Sequence, residues 1–296
     1  MPRRREPKPE FQIVKISKDN GRFRTIYMPR ADIKQRLKNY VPDLEQTALE
    51  VCPPNVVHGF WPARSCVSNA AMHVGYEYTV CMDLTDFFDH CTLDAMMPHI
   101  IRSQKGWGIT TYAKEYIAPD GACRPGLPTS PAAANICASE MDWALVGLVH
   151  DEWGVQYTRY ADDLTFSCDD FDTVKRLLES VPEIVASHGF KVNERKTRVQ
   201  CARAGRRIIT GVAVDDTGVY PTRKAKRKLR AARHKVTLKP NNPHWKHRAA
   251  GLAEWCKCKR PGIGKKTRKE IEQNPDDALQ LAAAATRYAV STKKEE

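Results

Sequence analysis

Apolar residues recur along the chain with two periods, two and about 3.6, and the switches between them mark out the elements. Gln12-Ile-Val-Lys-Ile16 and Phe23-Arg-Thr-Ile-Tyr27 are strand-like runs on either side of the turn signal Asp19-Asn-Gly21, which predicts an edge hairpin. From Ala31 to Cys52, Ile33, Leu37, Tyr40 and Val41, then Leu44, Ala48 and Val51, fall at helical spacing on both sides of Pro42. Two helices meeting at that proline are expected. Tyr78-Thr-Val-Cys-Met-Asp-Leu84 alternates, with Val80, Met82 and Leu84 on one face and Cys81 and Asp83 on the other, so a strand ends near Asp83. Ser130 reads as an N-cap with Pro131 in the first helical position, opening an Ala-rich helix that runs to about His150. Val155–Tyr160 and Leu164–Ser167 are strands separated by Ala161-Asp162-Asp163, which places the acidic pair in a hairpin turn. A helix follows at Phe171, Val174, Leu177, Leu178 and Val181, then strand-like runs over Lys191–Val199 and Arg207–Val214 and a turn at Asp215-Asp-Thr-Gly218. Beyond it, Trp245, Ala249, Leu252 and Cys256 share one helical face.

The 42% apolar content of the 296 residues is ample for a packed core in one large domain or two modest ones. Charge adds a class of partner. The 48 Lys and Arg outnumber the 35 Asp and Glu, a formal +13, and the excess is concentrated. Thr222 to Lys269 holds 18 basic residues, among them Arg223, Lys224, Lys226, Arg227, Lys228 and Arg230, against one acid, Glu254; the rest carries 30 basic and 34 acidic groups. A near-neutral body with a basic C-terminal part implies a polyanionic partner. No apolar run approaches the roughly 18 residues that span a bilayer. The charged, Pro-rich start has no apolar stretch behind it, so neither a membrane partner nor a secretory route is expected. The ten cysteines include no CxxC pair and are expected as small buried apolar residues in a reducing cytosol.

Three aspartates carry candidate chemistry: Asp83 at a strand end, and Asp162 and Asp163 about eighty residues later. Carboxylates brought together repel, and a cluster of them is tolerated mainly when a divalent cation neutralises it. With oxygen ligands and no nearby His or Cys trio, the expected cation is Mg²⁺, or Mn²⁺, in a two-ion site for phosphoryl transfer. Asp-Asp in a turn is also ordinary turn chemistry, and Asp83 also reads as a strand cap. Spacing alone leaves both readings open.

The order of short blocks around these residues resembles the palm of a reverse transcriptase. Tyr160-Ala-Asp-Asp163 follows a strand end with Asp83 and, five residues on, Phe88. Arg24-Thr-Ile-Tyr-Met-Pro29 is similar to the family's fingers block, and His58-Gly-Phe-Trp-Pro-Ala-Arg-Ser65 to the next one. Pro125-Gly-Leu-Pro-Thr-Ser-Pro131 resembles the block that opens the long palm helix, and Asn193-Glu-Arg-Lys-Thr197 the Asn-x-x-Lys-Thr block. Together they cover roughly residues 20 to 220. Asn69-Ala-Ala-Met-His73 matches a signature of bacterial retron reverse transcriptases, and Ile209-Thr-Gly211 stands where these carry Val-Thr-Gly. Pro125 departs from the Gln common at its position, which makes Arg124 a candidate for the missing contact.

The resemblance implies an α+β right-hand polymerase: an N-terminal tail and fingers over residues 1–78, a palm of antiparallel sheet packed on helices over 79–220, with part of the fingers inserted, and a basic helical thumb and tail over 221–296. It implies that Asp83, Asp162 and Asp163, with Leu84 beside them, hold two Mg²⁺ ions, and that Lys196 protonates the departing pyrophosphate. Phe88 would be a steric gate against a 2′-OH, or else a core residue beside Phe87. Arg24 and Arg64 would clamp the triphosphate of a dNTP, or else lie on solvated faces. Gly126 would let backbone approach the nucleotide, or else serve a turn. Asn69 and His73 would recognise RNA, with a core or capping histidine as the plain alternative. The basic C-terminal segment would grip an RNA–DNA hybrid through its phosphates, with Trp245 and Trp255 in the thumb core. The whole would be a bacterial, cytoplasmic enzyme that copies part of its own structured noncoding RNA into a branched RNA–DNA (msDNA), primed from the 2′-OH of an internal guanosine, in antiphage defence. A host ribonuclease H would remove template, and a toxin or effector protein would be a partner. Two other readings stand beside this one: a group II-like or domesticated reverse transcriptase using 3′-OH primers, and an RNA-binding scaffold for an effector.

Overall fold

The structure, a computed structural model, describes residues 10–17, 21, 23–103, 116–151, 154–258 and 260–261. Its first half runs β1 (Phe11–Ser17), β2 (Phe23–Pro29), α1 (Ala31–Val51), α2 (Cys66–Ala71), β3 (Tyr78–Asp83), α3 (Phe87–His90), α4 (Leu93–Arg102), α5 (Ser130–Cys137) and α6 (Ser139–Asp151). Its second half runs β4 (Gln156–Tyr160), β5 (Asp163–Cys168), α7 (Phe171–Ser187), β6 (Arg198–Cys201), β7 (Arg207–Ile209), β8 (Val212–Val214), β9 (Gly218–Pro221), α8 (Arg223–Leu238), α9 (Pro243–Trp255) and β10 (Arg260–Pro261). The chain divides into two compact units. One is Met1–Pro54, Thr85–Asp142 and His188–Phe190; the other is Asn55–Leu84, Trp143–Ser187 and Lys191–Glu296.

In the first unit β1 and β2 form the expected antiparallel hairpin, with Phe11 opposite Pro29 and Ser17 opposite Phe23. Residues 18–20 of its turn lie outside the described residues. Pro42 does not divide two helices: α1 runs through it. Ile33, Leu37, Leu44 and Ala48 are buried along one stripe on both sides of the proline. Keeping that stripe continuous outweighs the one backbone bond that Pro42 cannot donate. The Ala-rich helix also differs from expectation. Ser130 Oγ donates to Arg124 O (2.7 Å) and accepts from Arg124 N (3.1 Å), so its hydroxyl is spent on the preceding loop and Thr129 takes the N-cap position. A break follows at Ala138, where Ser139 Oγ donates to Ile136 O (2.7 Å), and α5 and α6 are separate helices.

In the second unit the strand order β4-β5-β3-β6 puts β3 and β5 in the centre of an antiparallel sheet. Val80, Met82, Leu164 and Phe166 are buried there, and α7 covers β3 and β5 with Val174, Leu177, Val181 and Val185. The strand expected over Lys191–Val199 starts only at Arg198, because Glu194–Lys196 form a short 3-10 turn. The run Arg207–Val214 is two strands, joined by Thr210 and Gly211 at φ 45° and 81°, the two left-handed residues of a tight hairpin turn. This second sheet, β10-β9-β8-β7, packs Ile209, Val212, Val214 and Val219 on Val67, Ala70 and Ala71 of α2, with Trp255 against the cluster. Of the basic helix α8 only Ala225, Leu229 and Ala232 are buried, and the expected face of α9 is half-buried. Lys259 and residues 262–296, part of the expected thumb and tail, lie outside the described residues. Among the described residues no helix is long and apolar enough to cross a membrane.

Candidate active site

The three aspartates come together at one end of the central sheet. Register pairs Asp83 at the end of β3 with Asp163 at the start of β5, and Tyr160 of β4 with the same Asp163. Ala161 and Asp162 are thus a two-residue turn, and Asp163 belongs to the strand rather than to the turn expected for it. Asp162 O accepts from Leu84 N (2.8 Å), which fastens the turn to the end of β3. On its other side Asp83 is held by the Asn193 block: Asn193 N donates to Asp83 O (2.7 Å), and Lys196 Nζ reaches both carboxylate oxygens (2.8 and 2.9 Å).

Burial, then the negative charges of Asp162 and Asp83, push the Asp163 carboxyl up to about 6, against the pull of Lys196 and Arg198. An anionic cluster under that strain suits a hard divalent cation. Among the described residues no three Asp, Glu, His or Cys side chains are already gathered as a metal cage, and the Lys196 ammonium is the cation that Asp83 holds. The donor set nevertheless fits Mg²⁺ or Mn²⁺: carboxylates on paired residues of adjacent strands, whose Cβ atoms stand about 5 Å apart in a ladder, with the main-chain carbonyl as the one metal-ligating group that buried Leu84 offers.

An acid raised in the folded state favours folding at low pH, and that contribution is lost as pH rises through the folded value. Asp163→Asn should therefore raise the Tm of the metal-free protein by several degrees at pH 8, for an effect of about 1 to 3 kcal/mol. The gap should open between about pH 4 and 6, as the shift from 3.8 to about 6 requires. Thermal melts across that range check it; a gap independent of pH counts against the electrostatic cause.

The turn itself is held in an unusual state. Ala161 has φ 56°, a left-handed conformation that costs a residue with a Cβ about 1 kcal/mol. Arg159, fully buried, donates to Ala161 O (3.3 Å). The segment ending in His58-Gly59 lies alongside β4, with Arg159 N donating to Val56 O (2.9 Å) and His58 N to Arg159 O (2.8 Å). A Cβ at Gly59 would stand 2.1 Å from Ala161 N, so only glycine lets this segment close on the turn. Periodicity carries no sign of this contact; the one available signal was that Gly59 lies within a block shared with the family.

The remaining site residues are distributed between the units. In the second, Arg64 Nη1 donates to Val57 O (2.6 Å) and its guanidinium lies over Trp61, so part of this expected triphosphate clamp holds its own loop. The direct RNA contact expected at Asn69 and His73 finds no surface, since both are fully buried: Asn69 inside α2 and His73 between Ser167 and Thr158. Arg223, Lys224, Lys226, Arg227, Lys228 and Arg230 are all exposed on α8. In the first unit, Arg24 is exposed on β2. Phe87 is the core residue, packed against Phe190, which leaves Phe88 half-exposed. Gly126, at φ 104°, approaches β2 so closely that a Cβ would stand 2.5 Å from Tyr27 O, and Pro125 O accepts from Tyr27 N (2.9 Å). The chain thus uses residue 125 through its carbonyl, which proline supplies as well as glutamine. Arg124 is engaged by Asp89 and Pro119 O, so it is a poor substitute for the missing side chain.

A sheet with two register-paired carboxylates and a third on the adjoining turn is the arrangement expected above for the palm of a right-hand polymerase. Residues 16–240 match the family described as reverse transcriptase (RNA-dependent DNA polymerase), and the chain belongs to it, among the bacterial retron reverse transcriptases. It is 33% identical over 250 residues to the retron Mx65 reverse transcriptase of Myxococcus xanthus, covering 78% of this chain and 57% of that protein. It is 31% identical over 215 residues to the retron Ec73 reverse transcriptase of Escherichia coli, covering 67% of each. The chain thus spans little more than half the length of the first of these. A solved telomerase from Candida albicans aligns with a TM-score of 0.49 at 14% identity, over 76% of this chain and 50% of that one.

Proposed function

We propose that the protein is an RNA-directed DNA polymerase that binds its own structured noncoding RNA in the bacterial cytoplasm and copies part of it into a branched RNA–DNA, starting from the 2′-OH of an internal guanosine. The observation that carries the reading is the register pairing of Asp83 with Asp163, with Asp162 on the turn beside them. Two divalent ions held there would activate the priming hydroxyl and neutralise the triphosphate and departing pyrophosphate. Lys196, whose Nζ lies at the carboxylates, would protonate the departing pyrophosphate. Arg24 and Arg64 supply planar donors for phosphate oxygens. In this reading residues 79–220 are the palm, and the exposed cations of α8 grip the RNA and its DNA copy by their phosphates. A role in antiphage defence, with an effector protein as partner and a host ribonuclease H to clear template, belongs to the same proposal.

Sequencing the nucleic acid that co-purifies with the protein tests it. A short DNA joined to RNA by a 2′,5′ linkage supports the proposal; DNA extended only from 3′-OH primers favours a group II-like enzyme instead. Phe88 gives a second test. With Phe87 bearing the packing, Phe88→Ala should leave the fold intact and raise ribonucleotide incorporation relative to deoxynucleotide by about tenfold or more, read as a ratio of kcat/KM values. An unchanged ratio removes Phe88 as the gate.

A further inference from the structure

Behind the carboxylates the second unit buries an unusual run of polar groups. Arg207 is fully buried, and its Nη1 donates to Thr79 Oγ1 (3.2 Å). Thr79 Oγ1 lies 2.8 Å from Ser167 Oγ, Ser167 Oγ lies 2.9 Å from His73 Nδ1, and His73 Nε2 lies 2.7 Å from Thr158 Oγ1. All five residues are buried, and they belong to β7, β3, β5, the turn after α2 and β4. Burial, with His58 and Arg207 near, holds His73 well below the ordinary histidine range, so the ring is neutral. One ring nitrogen therefore donates and the other accepts.

The buried cation at one end of the run sets the polarity that we assign to it. A guanidinium has only donors, so Thr79 gives it one oxygen lone pair; with the Thr79 hydrogen turned toward Ser167, the direction that we assign, the dipoles beyond it align the same way. Ser167 then donates to Nδ1, and Nε2 carries the proton that goes to Thr158.

The anchor points matter because of where they lie on the strands. Thr79 pairs with Ser167, and Asp83 pairs with Asp163, four residues further along the same two strands. Alternation puts Thr79, Asp83, Asp163, Ser167 and Thr158 on one face of the sheet. A slip of one residue between β4 and β5 would turn the β4 side chains over relative to β5 and rebuild the turn that carries Asp162 beside Asp163. His73 is the cross-link between those two strands, and its anchors Thr158 and Ser167 stand two and four ladder positions from Asp163, about 7 and 13 Å at 3.3 Å per residue.

We propose that His73 is a positioning residue for the catalytic turn: as the neutral Nε2–H form it closes a one-way hydrogen-bond chain from Arg207 to Thr158 that fixes the register of β4 on β5 and so the placement of Asp162 and Asp163. The proposal rests on the polymerase reading for its activity readout only. The ring can be observed in the wild-type protein by ¹⁵N NMR of labelled histidine. A protonated Nε2 and bare Nδ1, unchanged from pH 5.5 to 8, is the expected result; a protonated Nδ1 or a cationic ring overturns the chain.

Thr158→Val removes the last acceptor at nearly constant shape. It should lower kcat about tenfold or more at a temperature where the variant is fully folded, leave the KM for dNTP and the Kd for the noncoding RNA within about twofold, and weaken Mn²⁺ binding to the nucleic acid-free protein severalfold. Thr158→Ser should restore all three. A loss of activity matched by the loss of folded protein, or a loss of RNA affinity at unchanged kcat, overturns the positioning role. Because Mn²⁺ binding is measured without turnover, a misplaced site is told apart from a protein that does not polymerise DNA at all.

Discussion

Asp83→Asn and Asp162→Asn are each expected to reduce dNTP incorporation on an RNA template by at least about a thousandfold while leaving RNA affinity within about twofold. Asn is the informative replacement. It keeps the size of Asp and is equally suited to the turn, so a loss of synthesis reports the missing charge and not a rebuilt hairpin. The two variants differ in what they disturb. Asp83 is gripped by Lys196 through both oxygens, and Asp83→Asn frees that ammonium. Asp162 is fastened by its backbone to Leu84, which the substitution leaves in place. The proposed function gives the phosphate contacts to the exposed cations of α8, which lie on another element, so RNA affinity should survive both changes. Filter binding across a salt series, run beside primer-extension assays, separates the two functions. Retained synthesis in either variant would remove that aspartate from the site.

The carboxylate constellation was legible in the sequence because each of its determinants is local. Val80 and Met82 alternate with Cys81 and Asp83, and two adjacent acids stand between runs that can only be strands. The errors came where a long-range contact overrides a local rule. Pro42 reads as a boundary, yet burial of Leu37 and Leu44 on one stripe carries the helix through it. Ser130 reads as a cap, yet its hydroxyl is taken by the backbone of Arg124. For His73 the core alternative is the one that burial supports, and nothing in the spacing of Asn69 and His73 reveals that both are enclosed. Partners 85 and 94 residues away decide what His73 does.

Gly59→Ala should be among the most damaging small changes in the second unit. The backbone at Gly59 does not need positive φ, so conformational preference is not the objection; space is. The added Cβ would meet Ala161 N at 2.1 Å, Tyr160 C at 2.8 Å and Ala161 Cα at 3.0 Å, all main-chain atoms with no rotamer to yield. Something must move, and the nearest thing able to move is the turn that carries Asp162. Overpacking of this kind costs about 1 to 3 kcal/mol in stability. The catalytic cost should be larger, since a displacement of about 1 Å in a catalytic group lowers rate on the order of a hundredfold. Gly251→Ala is the control: it lies in α9 with nothing within 4 Å of its Cβ, and there alanine should stabilise the helix by up to about 1 kcal/mol and leave synthesis unchanged. The comparison is made by thermal melts and by kcat at 25 °C. A Gly59→Ala protein with wild-type kcat would mean that the turn tolerates displacement, and Gly59 would then be a packing residue alone.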